Sequence, residues 1–266
     1  MKKRIRLVAS DIDGTLIPEG TRDLNPQILK MVRKLKDKGI VFAAASGRQF
    51  DGMKILFHEV EDDMIFISNN GAYVSCRGTK MFEALINPED ARRLISYIRK
   101  QNGCFFLVST GAEVSYIEED VPQSLRELLI KGYGNNIKVV PDILELDLPM
   151  VKISMYREEG VRELADSMKK EWEACFRVLE AGDCWLDFVD YKADKGIALE
   201  SIQKALHFSK EETMCFGDNL NDIGMLEHAA YSYAIGGARS EVKDVARYVA
   251  DTVENDGVLK TLEKLV

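Results

Sequence analysis

Asp11 and Asp13, one residue apart, are the side chains of this sequence with the clearest capacity for chemistry. They follow an apolar stretch at residues 5–9 and precede the turn that begins at Gly14. Ionised carboxylates at the end of a buried strand are costly unless a cation or hydrogen bonds compensate, so the pair indicates a metal ion or a reacting phosphate. Gly14 lets the backbone turn and expose an amide to a ligand. Taken alone, the motif also fits an Asx-type turn that closes a strand.

Three more polar segments that contain glycine come directly after apolar, strand-like stretches: Ser46–Arg48, Asn69–Gly71 and Gly217–Asp222. The carboxyl ends of parallel strands meet at one edge of an open α/β sheet, where ligands bind. Carboxylates for Mg²⁺, a hydroxyl and a glycine amide for phosphoryl oxygens, and Lys195 to neutralise charge would together form a phosphoryl-transfer site. Singly, these segments also fit a turn, an exposed lysine at a helix start or a calcium-like acidic loop.

The order of the predicted elements indicates one domain inserted into another. Strand and helix patterns alternate over residues 1–85 and again over 190–266, which is typical of a parallel sheet. Residues 86–189 instead repeat a helix followed by two short strands, with hairpins in place of crossovers. We therefore predict an α/β fold: a Rossmann-like parallel-sheet core (1–85 and 190–266) that carries an inserted α+β cap domain (86–189).

The composition argues against several classes of protein. The chain has 266 residues and a formal net charge of −8, and this acidity disfavours a nucleic-acid partner, which needs a basic face. No apolar run approaches the length of a membrane span. The basic start, Lys2-Lys3-Arg4 and Arg6, precedes an apolar segment too short for a signal peptide, so we expect a cytoplasmic protein. The 5 cysteines lack CxxC spacing and are expected to be reduced thiols.

In their types and their order, these motifs resemble the haloacid dehalogenase superfamily, and within it the Cof-type phosphatases with the larger α+β cap (class IIB). The matching segments are DIDGT at Asp11–Thr15, SGR at Ser46–Arg48, KG at Lys195–Gly196 and GDNLND at Gly217–Asp222. The resemblance extends to Asn69–Ala72 and Asp256–Val258, so it spans essentially the whole chain. The core motifs are specific as a set. The cap is matched only in its length and in its repeat of a helix followed by two short strands.

The resemblance implies a role for each matched residue. Asp11 would be the nucleophile that forms an aspartyl-phosphate, and Asp13 would be the general acid and then the base. Lys195 would complete the catalytic set and bind the phosphoryl group. The other implied substrate-binding residues are Ser46, Gly47, Arg48, Asn70 and Asn221. The implied Mg²⁺ ligands are the carboxylates of Asp11 and Asp218 and the backbone carbonyl of Asp13, while Asp222 would orient Lys195 or support the metal shell.

The resemblance therefore implies a Mg²⁺-dependent phosphatase that acts on a small phosphomonoester, either a sugar phosphate or a phosphorylated cofactor, with the cap closing over the site. Asp13 favours phosphate chemistry over dehalogenation, because an alkoxide leaving group needs an acid. Two alternatives stay open: a phosphomutase or phosphotransferase of the same superfamily, and a non-catalytic regulatory switch that accepts phosphate at Asp11. A receiver-like switch needs neither an acid beside the acceptor nor a large insertion, so the sequence favours the enzyme.

Overall fold

Fourteen β-strands and nine α-helices form the regular structure of the residues that the computed structural model describes, 4–111, 114–181 and 183–266. Lys2 and Lys3 of the basic start lie outside these residues. The strands are β1 (Leu7–Asp11), β2 (Val41–Ala45), β3 (Met64–Ser68), β4 (Tyr73–Cys76), β5 (Thr79–Glu83), β6 (Cys104–Ser109), β7 (Ser115–Glu118), β8 (Ile137–Val140), β9 (Lys152–Arg157), β10 (Arg177–Glu180), β11 (Trp185–Val189), β12 (Thr213–Gly217), β13 (Tyr231–Ala234) and β14 (Tyr248–Val249). The helices are α1 (Pro26–Asp37), α2 (Phe50–Phe57), α3 (Pro88–Ile98), α4 (Gln123–Glu127), α5 (Arg162–Trp172), α6 (Lys195–Leu206), α7 (Ile223–Glu227), α8 (Ser240–Val245) and α9 (Gly257–Leu262).

The first sheet has eight strands in the order β14-β13-β12-β1-β2-β3-β4-β5. Neighbours from β14 to β3 pair in parallel, which confirms the predicted parallel core. By contrast, β4 and β5 form an antiparallel hairpin on the β3 edge, which the sequence did not predict. Its turn is Arg77-Gly78, at φ values of 48° and 70°, whereas the usual signal for two such residues in a hairpin is Asn-Gly.

The second sheet has six strands in the order β10-β11-β9-β6-β7-β8. It comes from the middle of the chain alone, and we call Pro88–Val189 the cap and the remaining described residues the core. Apolar side chains of α3 and α5 pack with those of β6, β9 and β11 in one hydrophobic cluster. The pair β7–β8 is parallel, unlike the predicted hairpins. The helix α4 and the π-helical turn after it carry the chain back to the end of the sheet where β7 begins, so β8 runs in the same direction as β7. The α/β fold class with an α+β insertion is confirmed, while the domain boundaries at 85/86 and 189/190 stay a prediction.

Two helices show how local sequence positions the site. Asn25 caps α1 by accepting the Gln27 N–H, and Pro26 occupies the first turn, where its missing N–H costs nothing. Asp194 caps α6 in the same way, with its carboxylate accepting the backbone N–H groups of the second and third residues of the helix. This cap starts α6 at Lys195 and places that lysine in the first turn.

Among the described residues, no helix is both long and apolar enough to cross a membrane. All five cysteines are free, as predicted. Cys104 and Cys215 are buried, and the other three are partly buried.

Candidate active site

The carboxyl ends of four neighbouring strands bring the predicted site residues to one edge of the core sheet. Asp11 is the last residue of β1 and pairs in register with Ala45, the last residue of β2. The predicted segments follow the other strand ends: Ser46–Arg48 after β2, Asn69–Gly71 after β3 and Gly217–Asp222 at the end of β12. Lys195 reaches the same edge from α6 and contacts Asp11.

A buried ammonium group joins two carboxylates at this edge. Lys195 has a fully buried side chain, and its Nζ donates to Asp11 Oδ1 at 2.5 Å and to Asp222 Oδ1 at 2.7 Å. The other oxygen of Asp222, Oδ2, accepts the backbone N–H groups of Asp218 at 3.0 Å and Asn219 at 3.1 Å. Both oxygens of Asp222 therefore accept hydrogen bonds already, which favours its predicted role in orienting Lys195.

Asp218 supplies a third carboxylate, and its position depends on a glycine. Thr15 Oγ1 donates to Asp218 Oδ1 at 2.9 Å. Gly14 has a φ of +79°, and a Cβ at this position would lie 2.4 Å from Asp218 Oδ2. Glycine is therefore needed at position 14 both for the left-handed backbone and for the close approach of the carboxylate.

Excess negative charge perturbs these groups. Burial raises the pKa of Asp11 well above its ordinary value, and the nearby Asp222 carboxylate raises it further. Lys195 lowers this pKa, but by less than the other two effects raise it. Burial and Asp222 also raise the pKa of Asp218 to about 6. Burial alone would lower the pKa of Lys195, but Asp11 and Asp222 more than offset it, so this pKa is raised. One ammonium faces three carboxylates, and a bound cation would relieve the remaining repulsion.

The Asp13 side chain pairs with an arginine. Arg48 donates from Nε to Asp13 Oδ2 at 2.9 Å and from Nη2 to Asp13 Oδ1 at 2.6 Å. Ser46 Oγ donates to Asp13 Oδ2 at 3.3 Å and accepts the backbone N–H of Arg48 at 3.0 Å. The predicted general acid and the predicted phosphate-binding hydroxyl are therefore neighbours.

Asn70 joins the loops that follow β2, β3 and β12. It has a left-handed backbone with φ 57°. Its N–H donates to Ser46 O at 3.0 Å, and its Oδ1 accepts from Asn221 Nδ2 at 3.1 Å. Gly47 lies against the same amide, since a Cβ there would be 3.0 Å from Asn70 Oδ1. Hydrogen bonds therefore join Asn221, Asn70 and Ser46 to one another and Ser46 to Asp13, while Lys195 binds Asp11 and Asp222 in a separate set at the same sheet edge.

This arrangement matches a known family over nearly the whole chain. The family model described as haloacid dehalogenase-like hydrolase matches residues 8–262. The chain belongs to this family. The superfamily expected from the motifs is therefore confirmed, and the protein is a haloacid dehalogenase-like hydrolase.

Relatives of this haloacid dehalogenase-like hydrolase cover it almost from end to end. It is 22% identical to the 5-amino-6-(5-phospho-D-ribitylamino)uracil phosphatase of Escherichia coli, over 98% of this chain and 96% of that protein. A crystal structure from Eubacterium rectale has a TM-score of 0.89 at 29% identity and covers 98% of this chain and 99% of its own. The fold of a subclass IIB sugar phosphatase matches with a TM-score of 0.80 at 21% identity, over 98% and 100% of the two chains.

The carboxylates of this hydrolase suit a divalent metal ion. One oxygen each from Asp11, Asp218 and Asp222 lies within 4.8 Å of the others. Asp11 Oδ2 is buried and meets no hydrogen-bond donor among the described residues. A buried oxygen without a partner is costly, and hard oxygen donors are the ligands that Mg²⁺ prefers. The residues present therefore fit a metal ion, with Asp11 and Asp218 as the carboxylates best placed to bind it.

Two residues at the site of the hydrolase were not predicted. Thr15 fixes Asp218, and its place inside the DIDGT motif was a usable signal. Lys152, at the start of β9 in the cap, donates from Nζ to Gly47 O in the core at 3.0 Å. No sequence pattern indicates this second contact, because a lysine in a short strand is usually exposed.

Proposed function

We propose that this protein is a Mg²⁺-dependent phosphatase that hydrolyses a small phosphomonoester through a phosphorylated Asp11. One observation carries the proposal: Lys195 fixes one oxygen of the buried Asp11 carboxylate at 2.5 Å, while the other oxygen meets no donor among the described residues. A carboxylate held in this way has an oxygen available to attack phosphorus or to bind a metal. The family match supports hydrolase chemistry, and the phosphatase names of the relatives support the reaction type.

Bound between Asp11 and Asp218, Mg²⁺ would neutralise negative charge and polarise the phosphoryl group. The chain's own residues do the rest of the binding. The Ser46 hydroxyl, the Gly47 backbone and the Asn221 amide surround the place where the phosphoryl oxygens bind. Lys195 offsets the charge of Asp11 and of the group being transferred.

The reaction has two displacement steps. In the first, an oxygen of Asp11 attacks phosphorus, the bond from phosphorus to the ester oxygen breaks, and Asp13 gives that oxygen a proton so that an alcohol leaves. In the second, water attacks phosphorus and gives a proton to Asp13, and the bond between phosphorus and Asp11 breaks to release inorganic phosphate. One water is consumed, and Asp11 and Asp13 return to their initial states.

Arg48 holds the Asp13 carboxylate in a fork of two hydrogen bonds. Its guanidinium binds both oxygens of Asp13. A phosphomonoester dianion beside Ser46 competes with Asp13 for the same guanidinium. When Arg48 moves to the phosphate, Asp13 becomes available as the acid.

The substrate that we propose is a phosphorylated sugar or sugar-derived metabolite. The Escherichia coli relative is named for a phosphoribityl compound, and the subclass IIB relative is a sugar phosphatase. Both names place the phosphate on a sugar or a sugar alcohol. The free cysteines favour a reducing compartment, which supports a cytoplasmic location.

A panel of phosphorylated metabolites tests this proposal, with release of inorganic phosphate measured in Mg²⁺ and in EDTA. The panel includes 5-amino-6-(5-phospho-D-ribitylamino)uracil, hexose phosphates and pentose phosphates. Asp11→Asn should lower turnover by more than about 10³-fold while only weakening Mg²⁺ binding. The matched control Asp166→Asn, on an exposed face of α5 in the cap, should keep wild-type activity.

Three results would contradict the proposal. Full activity of Asp11→Asn would remove the nucleophile from its assigned role. Transfer of phosphate to an acceptor sugar in excess of inorganic phosphate would identify a mutase or phosphotransferase. Phosphorylation of the protein without multiple turnover would identify the regulatory switch.

A further inference from the structure

One of the core segments that the cap contacts leads directly from the phosphate-binding loop. Three hydrogen bonds from the cap end on residues 47–51: Lys152 Nζ donates to Gly47 O at 3.0 Å, the Asn136 N–H donates to Asp51 Oδ2 at 2.5 Å, and Ser115 Oγ donates to Gln49 Oε1. The donors come from three stretches of the cap sequence, two of which are neighbours, since the Ser115 N–H donates to Asn136 O at 2.9 Å. The position of the cap therefore bears directly on the conformation of the chain after Ser46.

Lys152 is the charged member of this set, and it is deeply buried. Its residue is 5% exposed, and its Nζ also pairs with Asp187 Oδ2 at 3.0 Å. Asp187 in turn accepts from Ser154 Oγ at 2.6 Å through its other oxygen. A buried ammonium is costly unless it is paired and hydrogen-bonded, and here both conditions are met on the side of the cap that faces Gly47.

The carbonyl that Lys152 binds belongs to the same peptide unit as the N–H that binds Ser46. Lys152 donates to Gly47 O, and the N–H of that peptide, on Arg48, donates to Ser46 Oγ at 3.0 Å. A peptide unit is planar, so a fixed carbonyl also fixes the direction of its N–H. A charged donor on the carbonyl additionally polarises the peptide and strengthens the hydrogen bond on its other side.

This bond determines where the Ser46 hydroxyl hydrogen points. A serine hydroxyl has one hydrogen to donate, and the Arg48 N–H occupies one of its acceptor positions. The hydrogen is directed to the other side, toward Asp13 Oδ2, which lies 3.3 Å from Ser46 Oγ. A phosphoryl oxygen in the site would receive the same hydrogen.

We propose that Lys152 is a positioning residue that couples the seating of the cap to the orientation of the Ser46 hydroxyl. The inference rests on the phosphatase function proposed above and adds a cap residue to its machinery. Lys152 acts through the Gly47–Arg48 peptide and does not touch the reacting atoms. The site is therefore fully ordered for phosphate when the cap is docked on residues 47–51.

The test compares two variants that differ in the contact to Gly47. Lys152→Met alone would leave Asp187 buried and unpaired, which risks loss of folding. We therefore compare the double variant Lys152→Met/Asp187→Asn with Asp187→Asn alone, which retains Lys152. Lys169→Met, which removes a cap lysine paired with Glu180 on the surface, controls for the loss of a lysine.

The first measurement is kcat/KM with two probes, p-nitrophenyl phosphate and acetyl phosphate. The kcat/KM of the double variant should be about tenfold lower than that of Asp187→Asn with both probes, as expected for the loss of one charge-assisted hydrogen bond. Acetyl phosphate has a smaller leaving group than p-nitrophenyl phosphate, without an aromatic ring. A loss confined to p-nitrophenyl phosphate would overturn the proposal and make Lys152 a ligand of the leaving group.

The second measurement is amide hydrogen exchange of the full-length protein without substrate. Peptides that cover residues 46–51 should exchange at least about tenfold faster in the double variant than in Asp187→Asn, while peptides from α1 are unchanged. Equal exchange at residues 46–51 would overturn the coupling. If the wild type hydrolyses neither probe but the exchange result holds, the proposed function fails and the coupling stands.

Discussion

Lys195→Met tests the electrostatic basis of the site most directly. The substitution leaves Asp11 and Asp222 buried without the ammonium that now lies 2.5 Å and 2.7 Å from their oxygens. Removal of one partner from a buried ion pair costs about 3–5 kcal/mol in proteins. Two carboxylates share this lysine, so we expect the free energy of unfolding to fall by an amount near the upper end of that range, about 5 kcal/mol, at pH 8 in EDTA.

The loss should depend on pH in a defined direction. Lys195 lowers the pKa of Asp11, so its removal raises that pKa further above the value in the unfolded chain. A carboxyl group with a raised pKa in the folded state favours folding at low pH, and this contribution is lost as the pH rises through the folded pKa. The variant should therefore lose more stability at pH 8 than at pH 5, where protonation relieves the repulsion.

Denaturant unfolding at pH 5 and pH 8, followed by circular dichroism, measures both effects. Lys204→Met on the same helix is the matched control, because Lys204 and its partner Glu200 have side chains that are 72% and 43% exposed. Lys204→Met should change the free energy of unfolding by no more than about 0.5 kcal/mol. The reasoning fails if Lys195→Met lies within about 1 kcal/mol of the wild type at pH 8, or if it is destabilised more at pH 5 than at pH 8.

Two further predictions concern the metal. Gly14→Ala should weaken Mg²⁺ binding at least about tenfold in isothermal titration, because its Cβ would lie 2.4 Å from Asp218 Oδ2. The control Gly20→Ala has a similar φ of +74° but nothing within 4 Å of the added Cβ, so it should leave Mg²⁺ affinity unchanged. Equal losses of affinity in the two variants would indicate backbone strain instead of the contact with Asp218. Mg²⁺ affinity should be about tenfold lower at pH 5 than at pH 7.5, because the ion must displace a proton from Asp218, whose pKa is about 6. The same affinity at both pH values would contradict that assignment.

The elements that end at motifs were the most predictable part of this fold. The strand β3 ends at Ser68, directly before the Asn69–Gly71 segment, as predicted, and Asn25 and Pro26 begin α1 as their types indicate. The first strand is Leu7–Asp11, so Asp11 stands at the end of a buried strand as predicted. The ion pair with Lys195 compensates the charge of this carboxylate and lets it occupy a buried strand position.

Contacts between distant segments were less predictable. The motifs indicated which residues meet at the sheet edge, since strand ends are fixed by topology. They did not indicate that Arg48 binds Asp13 or that Lys152 binds Gly47, since these contacts depend on side-chain rotamers and on how the cap docks. Periodicity assigns a side chain to a face of an element, and it carries no information on the partner of that face.

The metal-free site is destabilised by the same charges that make it able to bind a cation. Burial raises the pKa values of Asp11 and Asp218, which means that their ionised forms are disfavoured in the folded protein. A divalent ion would bind those ionised forms in the folded state and would find no such cluster in the unfolded chain, so its binding would stabilise the fold. Metal binding would thus offset the electrostatic cost of assembling three carboxylates around Lys195. Three carboxylates around one lysine are therefore an arrangement that favours binding of a cation over stability of the fold.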